Sequence, residues 1–279
     1  MIGKDKKLIR NLFERNNLCE ITDIYELAKH IAISGGEKAL QYFRNENFKI
    51  INKGDLSFNP ATKADFESEK VMREIIENER PDDSILGEEF EEKIGKSNYQ
   101  WVLDPVDGTK AFIAGIPVWG VLVALNQGKS PLIGVIYQPF TKELYSGKLN
   151  FSELKINKIS KKLKTSNVKD VKNAILSTTF PELENQYERK LFKKVKDNVK
   201  FVRYGLDCYA YALLAHGKID IIIESNLKKY DIQAPHAVIE GAGGVLTDWK
   251  GNNAYEGGRV LASSNNVLHE KLLNILNKN

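Results

Sequence analysis

The stretch Trp101-Val102-Leu103-Asp104-Pro105-Val106-Asp107-Gly108-Thr109 constrains the chain more than any other. The apolar run Trp101 to Leu103 predicts a short buried strand that delivers two carboxylates at its C-terminal end. Pro105 pushes Asp104 into extended backbone and prevents a helix there. Asp104 and Asp107 stand three apart in what reads as a tight turn, so both side chains can converge on one point. Two carboxylates that close repel each other unless a cation lies between them or one is protonated. Gly108 permits a close backbone approach, and Thr109-Lys110-Ala111-Phe112 can open a helix whose unpaired N–H groups attract phosphate. These are the parts of metal-assisted phosphate chemistry. Taken alone, Asp-Pro-x-Asp-Gly is also an ordinary turn whose aspartates only cap and solubilise.

Several function classes fall away on composition. The formal charge of +4 is spread over Lys-rich segments such as Lys155 to Lys172, with no basic stripe interleaved with aromatics, which argues against nucleic acid. No apolar run approaches the roughly 18 residues of a membrane span, and the charged N-terminus lacks the apolar core of a secretion signal. The two cysteines, Cys19 and Cys208, are too few and too far apart for a disulfide framework or a thiolate metal site, so a cytoplasmic location is the expectation. The four histidines, His30, His216, His236 and His269, fall on different expected elements and read as packing or solvent-facing residues. No Ser-His or Cys-His pairing points to a covalent route.

The chain's 279 residues suffice for one large domain or two lobes sharing a core. Residues 1–20 read as a charged, poorly packed helix. Asp23 can cap a second helix, whose broken apolar stripe from Ile24 to Phe43 runs through Gly35-Gly36, and Lys49 to Asn59 read as an exposed hairpin or loop. Asn59 to Asp65 open a further helix with the stripe Val71, Ile75 and Ile76, where Asp65 is a first-turn acid. Ser84 to Glu89 form a short strand ending in two acids. After the central motif, Val118 to Asn126, Leu132 to Tyr137 and Leu144 to Gly147 form a meander. The composition then turns rich in Lys and Asn, which places a boundary between an N-terminal α+β lobe (1–147) and a C-terminal α/β lobe (148–279). In the second lobe strands alternate with helices: Ala174 to Thr178, Lys200 to Arg203, Ile219 to Ile223, Val245 to Asp248 and Val260 to Ser263 are strands. Asn185 to Asp197, Asp207 to His216, Tyr230 to Gly241 and Asn266 to Asn277 are helices, which makes the fold class α/β.

Four segments in order, Pro60 to Asp65, Gly87-Glu88-Glu89, Asp104 to Thr109, and Tyr230-Asp231 with Glu240-Gly241-Ala242-Gly243-Gly244, resemble the inositol monophosphatase family over roughly residues 22 to 265. The resemblance implies a layered αβαβα sandwich, a homodimer, and hydrolysis of small phosphate monoesters with two or three Mg²⁺ ions. Carried over by position, Glu88, Asp104, Asp107, Asp231 and the carbonyl of Val106 would hold the metal. Gly108 and Thr109 would hold the phosphate through backbone N–H groups. Thr109 with Glu88 would orient the attacking water, and Asp65 would support Thr109 or a further metal. An all-oxygen ligand set suits Mg²⁺ better than zinc in any case.

Within the family, Asp207-Cys208-Tyr209-Ala210-Tyr211, Gln138-Pro139-Phe140 and the region from Tyr230 to Trp249 look like the histidinol-phosphate phosphatases. Tyr230 stands where most of the family has Trp. Ile232-Gln233-Ala234-Pro235-His236 departs from the usual small or apolar residues, and Pro235 fits a helix only near its start. On this resemblance the substrate is L-histidinol phosphate. Glu224 falls where the family's substrate-reading acid falls, and Asp207 is either a second such acid or a helix cap. Arg203, just before Asp207, joins the candidate substrate side. The competing readings are an inositol-phosphate or nucleotide 3′-phosphate phosphatase and a non-catalytic metal or phosphate sensor.

Overall fold

The computed structural model describes residues 23–45, 50–52, 60–181, 183 and 185–278. The lead-in helix expected over residues 1–20, and with it Cys19, lies outside them, as does most of the stretch from Lys49 to Asn59.

Helix α1 (residues 23–40) runs through Gly35-Gly36, and those two glycines lie against Met72 and Tyr137 where a side chain would not fit. Short strands β1 (Ile50–Asn52) and β2 (Pro60–Thr62) pair antiparallel, and helix α2 (Lys63–Glu79) follows. Thr62 caps α2 through a box in which its hydroxyl accepts from Ala64 N–H while Asp65 accepts from Thr62 N–H. Next come β3 (Ser84–Gly87), β4 (Tyr99–Asp107), α3 (Thr109–Ile113), β5 (Gly120–Gln127), β6 (Ser130–Gln138), β7 (Glu143–Lys148), β8 (Phe151–Ile156) and β9 (Ile159–Lys162). They form a seven-stranded sheet in the order β3-β4-β5-β6-β7-β8-β9, antiparallel except for β3 with β4.

The boundary expected after Gly147 falls inside β7, and the sheet continues to Lys162. Leu154 and Ile156 on one face of β8 and Phe151 on the other pack into the two apolar clusters that flank the sheet, while Lys155 and the exposed residues of β9 hide this in the composition.

The rest comprises β10 (Ile175–Thr178), α4 (Gln186–Lys196), β11 (Phe201–Tyr204), α5 (Asp207–Ala215), β12 (Ile221–Leu227), α6 (Lys229–Gly241), β13 (Val245–Thr247), β14 (Gly258–Ser263) and α7 (Asn266–Asn277). The five strands order as β11-β10-β12-β14-β13, with β11, β10 and β12 parallel.

Three apolar clusters define the layers. Helices α1 and α2 cover one face of the large sheet through Ile31, Met72, Ile76, Trp101, Leu103 and Val123. Helices α5 and α6 lie between the sheets, packed on Val102, Leu122 and Ile136 from one and Ile222, Val260 and Ala262 from the other. Helices α4 and α7 cover the outer face of the small sheet. The result is the expected αβαβα sandwich. Because both sheets are buried on both faces, their central strands are apolar throughout rather than alternating with polar residues.

Helix α6 continues through Pro235, which lacks the N–H that would bond the Asp231 carbonyl. Gln233, beside it, finds polar partners, and His236 an aromatic one. Gln233 accepts from Asn126 Nδ2 at 2.6 Å and donates to the Tyr255 carbonyl at 3.0 Å, and His236 packs edge-on to Tyr255.

Candidate active site

Strand β4 builds the centre of the site by a bulge rather than the tight turn expected. Asp104 pairs with Leu122 and Asp107 with Gly120, so three steps on β4 match two on β5. A bulge of one extra residue re-aims side chains and tolerates a proline that gives no ladder N–H. Both Asp104 and Asp107 thereby turn toward the layer of α5 and α6. Helix α6 brings Asp231 from the other side, and carboxylate oxygens of all three lie within 4.8 Å of one another. Backbone donors hold all three. Val106 N–H reaches Asp104 Oδ1 at 3.1 Å, and Lys228 N–H reaches Asp231 Oδ2 at 2.6 Å. Cys208 N–H, in the first turn of α5, donates to Asp107 Oδ1 at 2.8 Å, which ties the two lobes together at the site.

These residues line a cavity of about 420 Å³ together with Glu88, Val106, Gly108 and Thr109. Gly108 sits at φ 86° and begins α3, where a side chain would also press on Asp207 Cβ at 3.0 Å. The Thr109 hydroxyl has two acceptors, Val106 carbonyl at 3.2 Å and Asp65 Oδ1 at 3.4 Å, while Asp65 Oδ2 is held by Thr62.

The electrostatics call for a cation. Burial first, then the neighbouring carboxylates, push Asp104 and Asp107 well above the ordinary carboxylate range. Burial also lifts Asp231 to about 6 and Asp65 to about 6. The donor set is entirely oxygen. The nearby Cys208 thiol is pushed far up by burial and the adjacent aspartates, so it stays protonated and is a poor ligand or nucleophile. Asp104, Asp107 and Asp231 therefore fit a hard divalent ion, with Glu88 and Val106 lining the same cavity.

The sign of the pH effect follows. Each raised carboxyl keeps its proton to higher pH in the fold than in the unfolded chain, where it titrates near 3.8. For Asp231 and Asp65 the metal-free fold thus loses stability as pH rises from about 4 through about 6, and Asp104 and Asp107, raised well above the ordinary range, act in the same direction. Buried His269, held neutral with a pKa lowered to about 4, acts oppositely, losing its contribution as pH falls from 6.5. The Mg²⁺-induced gain in melting temperature isolates the site: it is expected to be small at pH 5 and several degrees larger at pH 8. An equal gain at both values would contradict this electrostatic picture.

The substrate side shows a sharper division. Glu224, at the end of β12's buried run, accepts from Thr179 N–H at 3.0 Å and Thr179 Oγ1 at 2.7 Å on one oxygen and from Tyr211 OH at 2.8 Å on the other. Asp207 is the first residue of α5 but no cap: it stands at φ 46°, and no protein donor among the described residues bonds its carboxylate. Such a conformation is uncommon outside glycine and is found where neighbours over-determine it. Burial and Glu224 raise Asp207 to about 7, against the pull of Lys110. Arg203 is exposed on edge strand β11 and does not line the cavity.

Lys110, Thr179, Phe180, Tyr211 and Asn226 also line the cavity, and motif reading did not find them. Thr179, Phe180 and Asn226 lie at the carboxyl ends of β10 and β12, where parallel sheets place ligand sites, so the strand pattern held that signal. Lys110 lies 4.7 Å from the Phe180 ring centroid.

A five-layer α/β sandwich that gathers three carboxylates beside a glycine-opened helix is the architecture of a family of metal-dependent phosphatases. A model of the inositol monophosphatase family matches residues 20–279. The chain belongs to the inositol monophosphatase family. It is 44% identical over 223 residues to the chloroplastic bifunctional phosphatase IMPL2 of Arabidopsis thaliana, covering 79% of this chain and 63% of that protein, so it spans under two thirds of that relative. It is 33% identical over 257 residues to the histidinol-phosphatase of Mycobacterium tuberculosis, covering 90% of this chain and 96% of that protein. The solved structure of an inositol monophosphatase from Zymomonas mobilis superposes with a TM-score of 0.79 at 32% identity, covering 92% of this chain and 98% of the other. No helix among the described residues is long and apolar enough to cross a membrane.

Proposed function

We propose that the protein hydrolyses L-histidinol phosphate to L-histidinol and phosphate with Mg²⁺. The observation that carries the choice of substrate is Asp207, an acid at the cavity with no protein donor among the described residues. Histidinol phosphate brings an ammonium group and an imidazole to such an acid, whereas inositol phosphate brings only hydroxyls beside its phosphate. Mg²⁺ held by Glu88, Asp104, Asp107, Asp231 and the Val106 carbonyl, as two or three ions, would supply charge to the phosphate and acidify water. The backbone N–H groups of Gly108 and Thr109 bind the phosphate oxygens. The Thr109 hydroxyl donates to Asp65 and the Val106 carbonyl, which leaves a lone pair on Oγ1 to accept a hydrogen bond from the attacking water, while Glu88 takes one proton of that water. Water oxygen bonds to phosphorus and keeps its other proton, the bond to the alcohol oxygen breaks, and that oxygen takes up the proton that Glu88 received. A cytoplasmic homodimer is the accompanying expectation.

The test is selectivity. A charge-assisted hydrogen bond is worth about 1.5–3 kcal/mol, so Asp207→Asn is expected to lower kcat/KM for histidinol phosphate roughly 10- to 150-fold. Turnover of glycerol phosphate should change far less. Glu224→Gln disturbs three internal hydrogen bonds and should lower both substrates alike. An equal loss on both substrates in Asp207→Asn would remove the support for histidinol phosphate.

An inositol-phosphate phosphatase is the second reading. It is favoured by the 32% identity to the Zymomonas mobilis inositol monophosphatase, close to the 33% to the Mycobacterium tuberculosis histidinol-phosphatase.

A further inference from the structure

Helix α2 carries two buried acids one turn apart, Asp65 and Glu69. Asp65 reaches Thr109, but Glu69, with 0% exposure, does not line the cavity. Its two oxygens are nevertheless committed. Oε2 accepts the N–H of Glu89 at 2.8 Å, and Oε1 accepts Arg73 Nε–H at 2.7 Å. Arg73 Nη2 then donates to the Phe90 carbonyl at 3.2 Å, and the guanidinium lies 5.7 Å from the Phe90 ring centroid. Phe90 itself meets Phe66 of the same helix edge-on at 5.9 Å. On the other flank, a Cβ at Gly87 would stand 1.9 Å from Glu69 Oε1. The backbone is thus braced against one buried carboxylate both immediately before and immediately after Glu88.

A buried ion pair is a weak source of stability, because desolvation offsets most of its attraction. Its geometric value is greater here. Glu88 follows the last residue of β3 and must project from a loop into the cavity, and a loop ligand places its oxygen only as well as its backbone is held. We propose that Glu69, with Arg73, is a positioning residue that sets the reach of Glu88 toward the metal, and that residue 87 must be glycine because Glu69 fills the space a side chain would take. This rests on the reading of Glu88 as a metal ligand. A glutamine at position 69 offers one acceptor oxygen where two donors point, so one tether is lost. An alanine at position 87 drives the carboxylate and the loop apart. The two changes strike the same brace from opposite sides.

The test is a Mg²⁺ titration of the full chain, followed by melting temperature and, separately, by turnover. Glu69→Gln and Gly87→Ala are each expected to raise the half-saturating Mg²⁺ concentration by roughly 10- to 100-fold in both readouts. Substrate KM at saturating Mg²⁺ should change much less. Ile76→Ala, a core truncation on the same helix, should lower the melting temperature and leave the Mg²⁺ midpoint in place. Arg73→Gln keeps the Glu69–Glu89 bond and should shift the midpoint in the same direction by less, which serves if Glu69→Gln does not fold. Lowered melting temperatures with unmoved Mg²⁺ midpoints in Gly87→Ala and Arg73→Gln would overturn the proposal. Glu88→Gln separates the two ideas. If it leaves the midpoint unmoved, Glu88 is not a ligand and the brace has nothing to position. If it alone moves the midpoint, Glu88 remains a ligand and only the brace is lost.

Discussion

Asp107→Asn is expected to fold, to bind Mg²⁺ poorly and to lose nearly all turnover at ordinary Mg²⁺ concentrations. The asparagine Oδ1 can still accept the Cys208 N–H that Asp107 accepts at 2.8 Å, so the link between the lobes survives. What goes is one of three carboxylates whose oxygens lie within 4.8 Å of one another. The loss in kcat/KM should exceed the roughly 10- to 100-fold cost of removing an outer-shell partner of a metal ligand. Stability moves the other way. Burial and the neighbouring acids hold Asp107 well above the usual carboxylate range, so its ionisation is a burden on the metal-free fold. The metal-free variant should melt no lower than the metal-free wild type at pH 8, and its Mg²⁺-induced gain should disappear. Wild-type activity in the variant would contradict the assignment.

Thr109→Ala is the second large effect, and it is expected in kcat. The hydroxyl is not a helix cap: Gly108 occupies the cap position of α3 without a side-chain bond. Its contacts are the Val106 carbonyl and Asp65. Loss of a positioned proton acceptor should lower kcat by roughly 100-fold or more, while a lost cap would cost only about 1 kcal/mol of stability. Thr109→Ser keeps the hydroxyl and should retain most of the rate. A lower melting temperature with unchanged kcat in Thr109→Ala would show the hydroxyl to be structural.

Much of this was readable from local chemistry. The strand leading into Asp104, the helix opened by Thr62 and Asp65, and nearly every element after Ala174 follow from apolar period and turn residues. The tight turn at Pro105 was misread because a proline in a strand is exceptional, and the bulge that accommodates it depends on β5 as partner. The continuation of the sheet past Gly147 was missed because β8 contributes only Phe151, Leu154 and Ile156, split between its two faces, and β9 is exposed throughout, so polar composition hides both strands. Asp207 could be a cap or a substrate contact in sequence terms, since Asp suits both. Only the fold shows it at φ 46°, against Gly108 and with no donor among the described residues. Glu69 was invisible for the same reason, as its partners Glu89 and Gly87 are brought to it by the packing of α2 on the β3 end.

The most direct measurement is turnover of L-histidinol phosphate beside myo-inositol 1-phosphate by the wild-type protein, with Mg²⁺ and with chelator. The expected result is Mg²⁺-dependent release of phosphate, with kcat/KM at least about tenfold higher for histidinol phosphate, the lower end of what one charge-assisted hydrogen bond supplies. Full activity in chelator would contradict the metal site, and faster hydrolysis of myo-inositol 1-phosphate would contradict the substrate.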